Sequence, residues 1–452
     1  MDPRTRRLLD DPIGPTLLRL ALPNVILTLV QSSIGLIETY FVAKLGTDAL
    51  AGMALVFPVV MLIQMMSTGA MGGGISSAVA RALGGGRREL ADALAWHAVA
   101  IALGLGLVTT AAALLGGPAL YAAMGGVNGS LSAALAYSNT LFGAAVLIWL
   151  FNSLANVIRG TGNMFLPAAV VCAGAAILIP VSPVLIFGFG FLPRLGIVGG
   201  AVAIIAYYAI GSAIFAYYIW WGRGVLRPAL RPPRLDWPPA YEILRIGAVA
   251  SLVSITTNLT IAVATGLVGA QGPAAVAGYG TGVRLEYLLI PLAFGLGAPL
   301  VAMVGTAIGA GRRERALRAA WIGAAIAFAI TEAIGIWAAL FPHAWLTLFG
   351  DDPTMLAVGA QYLRIVGPFY GLFGGGMALY FASQGAGRLG WPLLAGLLRL
   401  AVATAGGWLA LRLGGSVTGV FVALGVALAV FGLVNAGAVA FGAWFRGAPQ
   451  RS

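Results

Sequence analysis

The sequence predicts an all-α membrane protein of twelve transmembrane helices in two parallel-repeat six-helix bundles, and three observations carry that prediction. Of the 452 residues, 60% are hydrophobic and only 9% charged, with a mean hydropathy of +0.95; a soluble globular domain has about a quarter of its residues charged. Long apolar runs recur twelve times with almost no charge between their ends, and a bilayer core about 30 Å thick takes roughly 20 such residues per helical crossing. The turn "LGGGRRELADALAW" at 83–96 returns as "IGAGRRERALRAAW" at 308–321, identical at eight of fourteen positions.

In the first half the apolar runs cover 17–43, 50–80, 92–116, 130–157, 164–190 and 196–221. The first carries Pro23 and Glu38; the second contains the methionine- and glycine-rich "MLIQMMSTGAMGGG"; the third starts after the arginine turn. The fourth holds Asn152 and Asn156 at i, i+4, the fifth ends in "PVSPVLIFGFG", and the sixth closes on Trp220 and Trp221. The second half repeats the plan over 243–269, 273–307, 319–341, 354–383, 390–411 and 416–444. All twelve runs are continuously apolar, whereas barrel strands are short and alternate with polar residues; a β-barrel is excluded.

The repeat extends beyond one turn. "RGTGNMFLP" at 159–167 pairs with "QGAGRLGWP" at 384–392 at the same 225-residue offset as the arginine turns, and "ALAGM" at 49–53 pairs with "AVAGY" at 275–279 one residue out of register. Six crossings per copy is an even number, so both copies enter the membrane the same way. The proline- and arginine-rich stretch 222–242 reads as a cytoplasmic linker between a lobe at 1–221 and a lobe at 243–452.

A net charge of +12 raises the question of nucleic acid, and the distribution of the 26 basic residues answers it. About 20 of them fall in alternate loops and the two termini, while Lys44, Arg194 and Arg412 fall in the opposite set. The charge is therefore topological, with both termini expected on the cytoplasmic side of the membrane and no nucleic-acid partner. Trp220, Trp221, Trp345 and Trp444 near run ends read as interfacial anchors. The N-terminus lacks the short apolar core and A-x-A-like exit of a cleavable signal peptide, so the first helix serves as the insertion signal. Cys172 is the only cysteine, which excludes an intrachain disulfide and a cysteine-based metal site. The glycine turns have no strand before them and no P-loop lysine after them, so no ATPase module is expected.

"LALPNVILTLVQSSIGLIETYFVAKLGTDALAGMAL" at 20–55, the two "GxGxxxxP" turns and "RLEYLLIPLAFGLGAPLVAMVGTAIGAGR" at 284–312 resemble the multidrug and toxic compound extrusion (MATE) family, bacterial branch, nearly end to end. The resemblance implies a cation-coupled antiporter that exports amphipathic or cationic drugs or metabolites by alternating access. A close alternative is a lipid-linked oligosaccharide flippase of the same superfamily, which would prefer a basic cavity; a membrane-embedded enzyme is remote, because His97 and His343 are the only histidines and no catalytic set gathers at one depth. No cofactor is expected beyond the transported proton or sodium ion; the partners are a small-molecule substrate and the bilayer, and the chain is expected to be a monomer.

An ionisable group inside a span costs a few kcal/mol or more, so each one asks for a reason. Glu38 takes the place of the acid that similar MATE proteins use for the coupling cation, and a carboxyl in low dielectric can take up a proton in the physiological range. Many of those proteins carry a second acid in the fifth helix, where this chain has Ser182, so the two-carboxylate site is incomplete. Asn152 and Asn156 either supply amides to Glu38 or serve as packing contacts between helices. Gln31 and Gln64 are candidate cavity residues.

Arg284 and Glu286 lie two apart and so point to different helix faces. Glu286 reads either as a cavity residue, with Arg284 beside it, or as half of a structural ion pair; for Glu332, Arg364 and Arg399 fixed pairing within the second bundle is expected. The second half lacks the carboxylates with which some family members hold a sodium ion, which favours proton coupling through Glu38 and Glu286, although one carboxylate with carbonyls and amides can also hold sodium. Pro23 reads either as a hinge, because in proteins that this chain resembles the bending of the first helix is tied to cation binding, or as a local kink without a gating role.

Overall fold

The computed structural model describes residues 2–189, 193–222, 224–269, 272–414 and 416–445. Among them the chain is almost entirely helical. A short α1 (Pro3–Asp10) leads into α2 (Ile13–Ala43). Then come α3 (Thr47–Gly84), α4 (Arg88–Ala123), α5 (Asn128–Gly143), α6 (Ala145–Gly160), α7 (Phe165–Phe187) and α8 (Ile197–Trp220). The second half has α9 (Trp237–Gly269), α10 (Pro273–Gly309), α11 (Arg313–Leu340), the short α12 (Pro342–Leu346), α13 (Pro353–Gly385), α14 (Gly390–Gly414) and α15 (Val417–Ala440). Eleven of these helices are long and apolar enough to cross a membrane, and α5 and α6, bent by 50° across their junction, together make a twelfth. The chain is a multi-pass membrane protein.

Three helices depart from regular α geometry: α13 tightens into a 3-10 turn at Gly367–Phe369, and two others carry π turns. A π turn, Met65–Met71, interrupts α3, and a second, Val402–Gly406, interrupts α14. Each widens the helix by one residue and frees a backbone carbonyl, an arrangement found mostly at functional sites.

The chain folds as two compact units, Met1–Arg7 with Leu22–Gly247, and Leu8–Ala21 with Ala248–Ser452. The 222–242 linker and the first turns of α9 thus belong to the first unit, and an early stretch of chain belongs to the second. In the first unit α4 packs on α6, α3 on α5 and α7 on α8 around a core that includes Ile75, Phe142, Trp149, Phe151 and Phe215. In the second unit α13 packs on α11 and α15, and its core includes Tyr362, Tyr370, Phe373, Phe421 and Phe431. A further cluster there joins Leu8, Leu9 and Leu17 to Leu300, Ala320, Val439 and Trp444. Trp444 is buried and donates to Ser383 Oγ at 3.1 Å, so the interfacial role expected of it is corrected: it is a core residue.

The internal repeat is visible in backbone hydrogen bonds. In the first arginine turn Gly86 N–H donates to Leu83 O, Arg87 N–H to Ala82 O and Arg88 N–H to Gly86 O; in the second Gly311, Arg312 and Arg313 donate to Ile308, Ala307 and Gly311 in the same pattern. Gly86 and Gly311 both have φ of +71°, the left-handed conformation that ends a helix and that glycine adopts without steric cost.

Both turns also hold chain segments. Arg88 donates to Val225 O at 2.7 Å, which ties the linker to α4 in the first unit. In the second unit Arg312 donates to Leu9 O and the Asp10 carboxylate, and Arg315 to Leu8 O and Asp11 O. These two cations cap the C-terminal carbonyls of α1, where the helix dipole is negative.

Candidate functional site

Glu38 lies on α2 in the first unit and is only 3% exposed. Ser182, on α7, donates its hydroxyl to Glu38 Oε2 at 2.8 Å. Oε1 has no hydrogen-bond partner among the described residues. It abuts Gly200 on α8, where any Cβ would overlap it, so the absence of a side chain at 200 is what admits the longer acid. Ser182 therefore stands where the second carboxylate was missed, and it can stabilise a charged or a neutral Glu38 by one hydrogen bond.

The Glu38 carboxyl opens onto a cavity of about 120 Å³ within the first unit. Gln31, Gln64, Tyr137, Tyr207 and Tyr208 share its wall, and Glu38 is the one charged group among its described lining residues. The rest of the wall is aliphatic or aromatic. Tyr207 and Tyr208 pack edge-on at 5.1 Å between centroids, and both meet Phe151 at 5.3 and 5.2 Å. Aromatic faces beside a lone carboxylate suit an organic cation, through the ring quadrupole and the opposite charge.

Asn152 and Asn156 do not reach Glu38. Asn152 donates to Ser67 Oγ at 2.8 Å and to Gln64 Oε1 at 3.4 Å. Asn156 donates to Asn152 O at 2.8 Å and to Thr68 O at 3.3 Å. Ser67 and Thr68 sit in the π turn of α3, so Asn152 holds that turn through the Ser67 hydroxyl and Asn156 through the Thr68 carbonyl, next to the Gln64 that lines the cavity. Tyr208 donates to the same Gln64 oxygen at 3.4 Å. The thread ends at Arg159, whose Nη1 donates to Asn156 Oδ1 at 3.4 Å. Arg159 was expected in a loop; it is 5% exposed on the last turn of α6.

The second unit carries a different arrangement. Arg399 on α14 meets Glu286 on α10 at 3.0 Å, with their side chains 4% and 8% exposed. Tyr362 donates to the other Glu286 oxygen at 3.0 Å, and the Arg399 guanidinium lies 4.7 Å from the Phe373 ring centre. Glu286 is thus half of a buried ion pair, and with Tyr362 and Arg399 it also lines a small cavity of about 10 Å³, so both of its readings keep a basis in the geometry. Arg284 is exposed and stacks on Phe349 at 5.2 Å. Glu332 accepts from Gly371 N–H at 2.7 Å. Arg364, for which an internal pair was expected, is exposed and makes no ion pair among the described residues.

Pro23 lies inside α2, which continues through it, one residue beyond the Ala21/Leu22 boundary between the two units. The family resemblance had marked Pro23. The three tyrosines, the π turn and Arg159 were not singled out, because a lone tyrosine in an apolar run carries no sign of which way it faces.

The MatE family profile matches residues 23–184 and 250–409, one block in each half. The chain belongs to the MatE family. It is 28% identical over 370 residues to the FAD transporter of Shewanella oneidensis, covering 81% of each chain. A probable multidrug resistance protein NorM of Thermotoga maritima is 28% identical over 363 residues, 79% of this chain and 76% of that one. Among solved structures, a MATE protein in its bent conformation superposes with a TM-score of 0.90 at 25% identity, covering 98% of this chain and 97% of that one. A MOP superfamily transporter of Pyrococcus furiosus, described by the reverse polarity of its binding pocket, superposes at 0.88 with 24% identity over 98% of each chain. This MatE member is a membrane transporter and not an enzyme.

Proposed function

We propose that the chain is an antiporter that exports amphipathic or cationic small molecules by alternating access, coupled to protons in preference to sodium, with Glu38 as the coupling acid. One observation carries the reading. A single buried carboxyl, held on one oxygen by Ser182 and partnerless on the other, faces an otherwise uncharged aromatic cavity. An ionised carboxylate in that setting is costly, and either a proton or a cationic cargo removes the cost. Competition between the two for one acid is the elementary requirement of antiport. A proton needs no coordination shell, which favours it over sodium where Ser182 Oγ is the side-chain hydrogen-bond partner of the carboxyl among the described residues.

The oligosaccharide flippase is disfavoured on the sign of the charge. A pyrophosphate cargo calls for cations, and the described wall of this cavity has none. In this reading Pro23 is the hinge of α2, Asn152 and Asn156 hold the π turn, and the chain works as a monomer in the bacterial inner membrane with both termini cytoplasmic. The deciding experiment follows a fluorescent cationic dye out of proteoliposomes under an imposed proton or sodium gradient. Proton-driven efflux that disappears in Glu38→Gln is the expected result. No gradient-driven movement in the native chain overturns the reading, and sodium-driven efflux alone overturns its choice of ion.

A further inference from the structure

The linker between α8 and α9 is fastened along its backbone. Three residues spaced i, i+4, i+8 on the first turns of α4 hold it: Arg88 donates to Val225 O at 2.7 Å, Asp92 accepts from Arg227 N–H at 2.8 Å, and Trp96 donates to Ala229 O at 2.9 Å. His97 Nε2 lies 3.0 Å from Asp236 O at its far end. Pro228, Pro232 and Pro233 stiffen the stretch between. Val225, Leu226 and Pro228 are buried beneath the loop, while from Ala229 to Trp237 every residue is exposed.

Those side chains are not the polar set of an ordinary loop. Leu230 is 62% exposed, Leu235 52% and Trp237 68%, and Arg227, Arg231 and Arg234 are exposed among them. The exposed acids in or just after the stretch are Asp236 and Glu242, with Glu89 exposed beside Arg88 on α4, and Glu242 is paired with Arg81 at 2.7 Å. Trp220 ends one span and Trp237 begins the next, so the linker leaves and re-enters at one membrane face. α9 has 33 residues, more than the roughly 20 that cross the apolar core, which leaves its first turns at headgroup depth.

We propose that residues 227–237 are a docking surface for anionic phospholipid, with Leu230, Leu235 and Trp237 entering the interface and the three arginines meeting lipid phosphates. Apolar residues interleaved with cations fit a lipid surface, where both parts are satisfied together. A soluble acidic partner would leave the leucines and the tryptophan without a match.

The test places a polarity-sensitive fluorophore on Leu235→Cys in a Cys172→Ala chain, reconstituted whole into vesicles of phosphatidylcholine alone or mixed with phosphatidylglycerol. The expected result is a blue-shifted emission in the mixed vesicles, reduced roughly twofold or more by the Arg227→Gln/Arg231→Gln/Arg234→Gln triple change and by high salt. Unchanged helicity would confirm that the triple variant is folded. Water-like emission in both vesicle types overturns the proposal, as does an equal shift without the anionic lipid. Loss of the shift on adding inorganic phosphate at constant ionic strength, or a shift that requires a soluble acidic polypeptide, overturns it in favour of a free-anion or a protein site.

Discussion

At the scale of single residues, the contrast between two buried acids is instructive. Glu38 has a hydroxyl on one oxygen and nothing on the other, whereas Glu286 has a guanidinium on one and a phenol on the other. The first can exchange its neutralising partner; the second is locked by its neighbours. Removing one member of a buried pair strands a charge, which costs about 3–5 kcal/mol, while replacing both by apolar groups of similar size is often neutral. Arg399→Met should therefore lower thermal stability sharply, and Glu286→Leu/Arg399→Met should recover most of the loss, as read by unfolding in detergent. If the single change leaves the unfolding midpoint in place, the pair is not structural. A second residue-scale prediction concerns Gly200. Because a Cβ there would overlap Glu38 Oε1, Gly200→Ala should depress proton-driven efflux several-fold without unfolding the chain. Glu38→Asp withdraws the carboxyl by one methylene and should restore part of the activity to Gly200→Ala. Additive losses in the double variant would show that the two sites do not share space.

At the scale of elements, the π turn of α3 ties the cavity wall to the polar thread. Asn152 grips its Ser67 and Asn156 its Thr68 carbonyl, so the turn is held from α6 and not by its own sequence. Deleting Met66 should return this stretch to α geometry, rotate Gln64 away from Asn152 and Tyr208, and lower transport while the helix content stays unchanged. Retained transport would mean that the irregular turn has no part in the cycle. The sequence made the helices and their number legible, because twenty apolar residues in a row admit few other solutions in lipid. It also marked Glu38, since an ionisable group in an apolar run stands out against its neighbours, while Ser182 was marked by the family resemblance as standing in place of a second acid. It did not reveal the π turn, because "MMSTGAM" differs from a regular helix only through contacts made by α6. Nor did it reveal that Arg159 is buried: an arginine at a span end reads as a loop cation until packing covers it. Trp444 was misread for the same reason, since a tryptophan at the end of a run looks alike whether it faces headgroups or a neighbouring helix.

At the scale of the whole molecule, the repeat divides the sequence in two but the packing does not follow that division. Residues 8–21 lie in the first copy by number and in the second unit by contact. A fragment comprising 237–452 would lack Leu8, Leu9 and Leu17, all buried in the core of that unit. The expectation is that this fragment aggregates or unfolds on its own and is rescued by co-expression with 1–236, as judged by size exclusion. A fragment that is monodisperse and as stable alone as in the rescued pair would remove the structural weight placed on residues 8–21. The same feature bears on biosynthesis. Leu8 and Leu9 leave the ribosome long before Val439 and Trp444, which share their cluster. That cluster therefore stays incomplete until α15 and the residues just after it have been made, and a chain cut short before them would leave part of its apolar surface uncovered for the membrane's proteases to find.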